Sequence, residues 1–378
     1  MNCHYRLMIS LVSFMSERVV VICTGQPGSG RDEYLDDIAT KRQFHYYHIF
    51  DYLVEEAEKG GYVLNKQNVL DFYDSNPERL ESFRVAALKR IVAEIGERSG
   101  VHIISTPYHF EWKGKSYKGL TEEEVQTLNP DLFILVLDDL LRVRERLRED
   151  VQWKDHNFTL VELAQWRREE MRGVYNLSRR SIPHKGFYLV AREHGVGLLE
   201  DLIFRRKKTI YLSHPITGES ESFFRDIRRF ASKLQSKYAV FDPSMIQDWE
   251  IVETWRRMRN ESMGERTLPR VISFSVERPD GTKEYELESW DIESAIKNIR
   301  AQIIDMDYRI IESCDYTVAY HPREQVSAGV MCEMVEAKSL AKLVYAYYPY
   351  EPSPFFEWYA TKLFQDENQL LEFLMSLA

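Results

Sequence analysis

Two stretches of the chain hold residue types and spacings that can do chemistry. The first is "VVVICTGQPGSGRDE", residues 19–33. A β-branched apolar run reads as a strand, and it feeds a glycine-rich turn. Gly25, Gly28 and Gly30 let the backbone curl so that successive N–H groups point inward, and a helix N-terminus follows; this is an anion nest. A phosphate loop of the form G-x-x-x-x-G-K-[ST] asks next for Lys, which reaches the outer phosphates, and for Ser or Thr, which holds Mg²⁺. Here Arg31 and Asp32 follow Gly30. Arg31 keeps the charge and can grip phosphate bidentately. Asp32 replaces a hydroxyl by a carboxylate, which makes it the candidate Mg²⁺ ligand. The nucleotide-binding set expected here is Gly25, Gly28, Ser29, Gly30, Arg31 and Asp32.

The second stretch is "DYRIIESCDYTVAYHPREQVSAGVMCEMVEAKSLAKLVYAY", residues 307–347. A helix ending near Cys314 leads into a strand, a loop and a helix beginning near Ser327. Ser327 suits an N-cap, and Gly329 permits close approach of a ligand to the backbone. Glu333 lies one to two turns into that helix, with Ala337 one turn further on the same face. An acid so placed points toward the C-terminal ends of parallel strands, where open α/β sheets bind ligands. A third cluster is Arg142, Arg144, Arg146 and Arg148. Arg144 and Arg148 share a helix face, as do Arg142 and Arg146. The run reads either as a lid that clamps phosphates or as a solvated face paired with Glu145, Glu149 and Asp150.

The elements that must position these groups alternate. In the first half, strands are expected at 19–23, 44–50, 101–106, 132–138 and 186–191, with a helix over 80–97. A basic break, "FRRKKT" (204–209), precedes a second alternation with strands at 209–213, 238–241, 316–320 and 342–347. Phe223, Phe224, Ile227, Phe230, Ala231 and Leu234 mark an amphipathic helix between the first two. Such alternation predicts α/β folds, each with a parallel sheet flanked by helices. The expected domains are 17–205 and 206–378, with a less regular insertion at about 244–303 that holds a hairpin turning at Pro279-Asp280-Gly281. Trp255, Arg256, Arg257 and Arg259 within it read as a surface amphipathic helix. Residues 1–16 read as a leader or an alternative start. The aromatic tail "YYPYEPSPFFEWYATKLF" reads as core packing or a dimer face.

Composition bounds the function. The 378 residues carry a net charge of −10, with 44% hydrophobic and 29% charged residues. The acidic balance argues against nonspecific nucleic-acid binding, which needs a basic face. No apolar run approaches the ~18 residues of a membrane span. Four cysteines form no CxxC pair, and Cys23 and Cys332 read as buried free thiols. A cytoplasmic setting is expected.

Residues 17–205 resemble the archaeal type of adenylate kinase. "HYYHIFDYLVEEAEKGG" is similar to that family's second strand and helix, and "IISTPYHFEWKGKSYKGLTEEEVQTLNPDLFILVLDD" to its third strand, Gly-Leu loop and fourth strand. "LLRVRERLRED" occupies the arginine-bearing lid position and "WRREEMRGVY" the following helix. The resemblance implies a P-loop kinase-like fold, ATP and Mg²⁺ as cofactors, and nucleotide contacts from Arg144, Arg148 and Arg172. Where the family has Asp-Thr-His at the end of the third strand, this chain has Ser105-Thr106-Pro107. Either the hydroxyl and carboxylate have exchanged places as Ser105 and Asp32, or both positions have drifted in a loop that binds without transferring phosphate.

Residues 206–378 resemble the nucleoside 2-deoxyribosyltransferases, including the 2'-deoxynucleoside 5'-phosphate N-hydrolases. Four elements carry the likeness in order: "YLSHPITG" from Tyr211 to Gly218, Asp307, Asp315 eight residues later, and "SAGVMCEMVEA". The resemblance implies a flavodoxin-like or Rossmann-like sheet, with Glu333 as nucleophile, Asp307 as acid/base or orienting partner and Tyr211 positioning them. It implies a substrate site at Ser213, His214, Ser327 and Gly329, with no cofactor. Ser327 points to a nucleoside 5'-monophosphate, and His214, in place of a small residue, either narrows the pocket or adds a phosphate partner. The expected function is N-glycosidic cleavage or transfer on a nucleotide, coupled to a divergent nucleotide-binding domain, in a homodimer or larger assembly. The alternatives are a nucleotide sensor without turnover and an active nucleoside monophosphate kinase.

Overall fold

A computed structural model describes residues 18–113, 115–181, 183–261, 269–278 and 281–377. The leader expectation, Cys3 and the Pro279-Asp280 part of the hairpin turn lie outside these residues. The chain divides into two compact units after Tyr188. Each is built on a five-stranded parallel sheet flanked by helices, as the alternation predicts.

The first sheet consists of β1 (Arg18–Thr24), β2 (His45–His48), β3 (Gly100–Ser105), β6 (Leu132–Leu137) and β7 (Gly186–Ala191), the last running past the division after Tyr188, in the order β2-β3-β1-β6-β7. A hairpin of β4 (His109–Trp112) and β5 (Lys115–Lys118) stands apart from it. β1 is the central strand, with Val21 and Ile22 fully buried, because both sheet faces are covered and strands so placed are apolar throughout. The polypeptide leaves β1 directly into the glycine turn. The helix Arg31–Ala39 follows with Gly30 at its N-cap, in the left-handed region at φ 74°. The helix Pro77–Glu97 opens on proline at its first turn, where the missing N–H costs nothing.

In the second unit, β8 (Thr209–Ser213), β9 (Ala239–Phe241), β12 (Tyr316–Tyr320), β13 (Leu343–Tyr347) and β14 (Lys362–Phe364) give the order β14-β13-β12-β8-β9. Counted along the chain this is 2-1-3-4-5, the doubly wound order whose strand direction of travel reverses between β8 and β12. The helix Glu221–Gln235 buries Phe223, Phe224, Ile227, Phe230, Ala231 and Leu234, the stripe its spacing dictates. Their partners include Ile210, Leu212, Val240 and Val318. The hairpin is β10 (Val271–Arg278) with β11 (Gly281–Glu288), paired from Val271↔Glu288 to Arg278↔Gly281. Ile272, Phe274, Tyr285 and Leu287 alternate inward. The helix Asp248–Glu261 buries Trp255 while Arg256 and Arg257 are exposed, so it is a half-buried amphipathic helix.

One expectation needs correction. Cys332 is exposed, whereas Cys23 and Cys314 are buried, because Cys332 faces away from the strip of Val330, Glu333, Met334 and Ala337 that packs inward. The tail divides in the same way: Phe356 and Phe364 are core, whereas Phe355 and Trp358 are 73% and 69% exposed.

Candidate functional site

The glycine turn closes one wall of a cleft of about 430 Å³ in the first unit. Gly28 takes φ 81°, and a Cβ there would lie 2.8 Å from the Val143 carbonyl oxygen and 2.9 Å from Leu147 Cγ. The arginine-bearing helix Leu140–Glu149 therefore packs straight onto the loop. Among its four arginines, Arg146 bonds the turn. Its guanidinium donates to the Gly28 carbonyl at 2.9 Å and to Asp138 at 2.6 Å. Arg144 is buried, Arg148 reaches Asn157 at 3.3 Å, and Arg172 is exposed. None of those three lines the cleft. Arg146, which the expected set left out, therefore joins the candidates at the turn.

Arg31 folds back on the loop. It donates to the Gly25 carbonyl at 3.1 Å and, through Nε and a terminal nitrogen, to both oxygens of Asp32 at 3.0 and 2.8 Å. Asp32 also accepts from Ser105 Oγ at 2.5 Å and Tyr46 at 3.3 Å, and His48 Nε2 lies 3.5 Å from it. Burial alone would raise the Asp32 pKa, but Arg31 and His48 hold it far below the carboxylate range. Burial would likewise neutralise His48, yet Asp32 and Asp51 push its pKa up to about 9. The expected carboxylate–hydroxyl pair is thus in contact. Mg²⁺ fits this set poorly, since both Asp32 oxygens already face cationic or hydroxyl donors and an ion would have to displace Arg31.

Sequence reasoning missed three groups here. Glu170, fully buried, accepts from the Gly25, Tyr108 and His109 amides at 3.1, 2.7 and 3.1 Å. It anchors the first residue of the turn from 145 residues away, a partnership invisible in sequence. Arg84 lines the cleft and bonds Glu81, Glu124 and the Gly119 carbonyl. Gln26 is buried in the cleft wall with neither amide atom bonded.

In the second unit a cavity of about 200 Å³ opens past the C-terminal ends of the strands, at the point where the strand order reverses. It is lined by His214, Asp242, Asp307, Ser327, Gly329 and Glu333 among others. The helix Ser289–Ser313 supplies Asp307, and the helix Ala328–Ser339 supplies Glu333. Ser213, the last residue of β8, donates its hydroxyl to Glu333 Oε2. Tyr211 is fully buried one pleat earlier, and its hydroxyl has no ordinary hydrogen-bond partner. The Asp307 and Glu333 carboxyls beside it, after burial itself, push its pKa well above the normal value.

Two acids in one cavity cannot both ionise easily. Burial, and then the Glu333 charge, drive Asp307 well above the carboxylate range. Burial raises Glu333 to about 7, with Ser213, Tyr211 and His214 limiting the rise. Burial therefore favours the protonated form of both acids, and the Glu333 charge adds to that at Asp307.

The remaining site residues divide. Ser327 stands at the N-cap position, but its hydroxyl makes no cap bond, and its amide donates to His321 Nε2 at 2.9 Å. Gly329 is exposed on the first turn. His214 is not free to grip a phosphate: Nδ1 lies 2.9 Å from the Pro215 carbonyl and Nε2 3.0 Å from Asp242. Asp315 stands outside the cavity and bonds the Thr209 amide and hydroxyl, fixing the start of β8.

Residues 24–158 match the family model of an AAA domain. The match spans the glycine turn, the Gly-Leu segment and the arginine helix, so over these residues the chain is similar to a P-loop nucleotide-binding, kinase-like domain. No curated protein matches the chain. Among the described residues no helix is long and apolar enough to cross a membrane, and no cluster of three or more His, Cys, Asp or Glu side chains could hold a metal ion.

Proposed function

We propose that the second unit cleaves, or transfers, the N-glycosidic bond of a nucleoside 5'-monophosphate. The observation that carries this reading is the Asp307–Glu333 pair on the wall of one cavity, Glu333 buried and Asp307 half-buried, where burial favours the proton on both. The bond breaks through an oxocarbenium-like state, and a carboxylate beneath the anomeric carbon stabilises or traps it. Glu333 takes that role, with Oε2 held by Ser213 and the other oxygen left to attack. Asp307 keeps a proton that it can deliver to the departing base. Water, or a second base, then resolves the intermediate as Asp307 takes its proton back.

The cavity is smaller than the ~300–1,000 Å³ of a typical ligand pocket, so it suits the sugar rather than a whole nucleotide. The phosphate then lies at the open rim, against Ser327 and Gly329. There the helix Ala328–Ser339 presents its N-terminus without a side-chain cap, an arrangement that favours an anion.

The first unit binds a nucleotide, and in this reading it does so to control or supply the second. A kinase reading requires Arg31 to leave Asp32 for a phosphate; ATP-plus-monophosphate turnover that depends on Mg²⁺ would favour it. A cytoplasmic homo-oligomer completes the proposal, supported by Phe355 and Trp358 standing exposed; light scattering in solution tests it. The central test is incubation with nucleosides, nucleoside monophosphates and NAD, assayed for free base. Release from monophosphates that is abolished in Glu333→Ala is expected. No release from any substrate overturns the reading.

A further inference from the structure

His214 is buried to 0% in its side chain, and so nearly is Asp242 at 4%. Its two ring nitrogens face a carbonyl oxygen and a carboxylate oxygen, at 2.9 and 3.0 Å. Both are acceptors only, so both nitrogens must donate, and a ring that donates twice is an imidazolium. The donors to Asp242 gather on Oδ1, while Oδ2 is buried without a bond. Oδ1 also accepts from the Ser244 amide at 2.9 Å and the Ser244 hydroxyl at 2.6 Å. A second histidine completes the assembly in the opposite state. His194 accepts the Asp242 amide on Nε2 at 2.9 Å, while Nδ1 lies 3.3 Å from the Ala191 carbonyl. That ring donates once and accepts once, so it is neutral.

The charged or titratable groups that line the same cavity as His214 are Asp242, His194, Asp307 and Glu333. Tyr211 lies two residues before it on the chain, and Ser213, its immediate neighbour, holds Glu333 Oε2. A cation locked into this wall, unable to bond a ligand, acts on the Glu333 carboxyl through its field.

We propose that His214 is a positioning residue in the form of a buried imidazolium, held by Asp242, that favours the ionised form of Glu333. The Glu333 assignment rests on the glycosidic reading, but the charge relation does not. Burial would lower the His214 pKa, and Asp242 more than offsets it. Asp242 in turn is held down at about 2, against its burial, first by the His214 charge. Removing either member therefore removes the cation. Without it, Glu333 keeps its proton to higher pH.

The test uses the whole protein without substrate. ¹⁵N chemical shifts of the His214 ring at pH 7 should report two protonated nitrogens in the wild type and a neutral ring in Asp242→Asn. The ¹³C titration of the Glu333 carboxyl should move up by about one pH unit, a tenfold change in proton affinity, in both Asp242→Asn and His214→Asn. With a base-releasing substrate, the acid limb of kcat/KM moves up by the same amount. A neutral His214 in the wild type at pH 7 overturns the proposal. So does an unmoved Glu333 midpoint in variants whose circular dichroism shows them folded. Because these readouts need no turnover, absence of base release would sink the glycosidic reading alone. If the variants fail to fold, the wild-type ring shifts still decide the matter.

Discussion

At the scale of single residues, the two units use carboxylates in opposite ways. Asp32 is surrounded by donors and stays ionised; Asp307 lies half-buried in a cavity with a second acid, which favours its proton. The glycosidic reading then fixes a pH profile. Activity needs Glu333 without its proton, so kcat/KM should rise as pH passes through about 7, and it should fall again when Asp307 ionises at higher pH. Asp307→Asn should lose the alkaline limb, and it should hurt substrates with poor leaving groups more than those with good ones. A profile measured from pH 4 to 10 checks both. In the cleft, Arg31 already has a carboxylate in its grip, so ATP binding should raise the melting temperature equally with Mg²⁺ and with a chelator. A rise seen only with Mg²⁺ would show instead that an ion displaces Arg31.

At the scale of elements, the glycine turn is held from outside itself. Glu170, on the helix Leu160–Arg180, accepts three backbone N–H groups, one from Gly25 at the start of the turn. Leaving buried donors unsatisfied costs ~1–3 kcal/mol each, so Glu170→Ala should destabilise the protein by roughly 3 kcal/mol or more and weaken ATP binding. Chemical denaturation and calorimetric titration measure the two effects. Gly28→Ala attacks the same turn from its other side. A side chain at positive φ costs ~1–2 kcal/mol, and the new Cβ meets the Val143 carbonyl at 2.8 Å. ATP affinity should fall even where the fold survives, because the arginine helix must move away, and Arg146 with it. An unchanged affinity would mean that Arg146 takes no part.

At the scale of the molecule, two nucleotide chemistries are predicted in one chain, each within its own unit. Hydrogen exchange can assign them separately. ATP should protect the amides of residues 25–31, and a nucleoside monophosphate those of 328–331. Protection of 328–331 by ATP would argue that the second unit is a sensor rather than a glycosidase. The second unit's cavity sits where its strand order reverses, so the ligand position there follows from topology rather than from any one residue.

The sequence by itself determined the parallel α/β character of both halves, the glycine turn, the amphipathic helix with its phenylalanine stripe and the hairpin. Each of these is a local pattern with a period of two or 3.6 residues, or a backbone constraint only glycine meets. It also singled out Asp32, Ser105, Asp307 and Glu333 as chemistry-bearing. Which arginine reaches the turn was not legible, because that depends on how one helix rotates against Gly28. Nor was the Glu170 anchor, which spans 145 residues to Gly25. His214 looked like a loose pocket residue until the tertiary structure set Asp242, 28 residues away, against its ring. Protonation states were likewise beyond the sequence. They are decided by burial and by which charges face one another, and those exist only once the two sheets have closed over their sites.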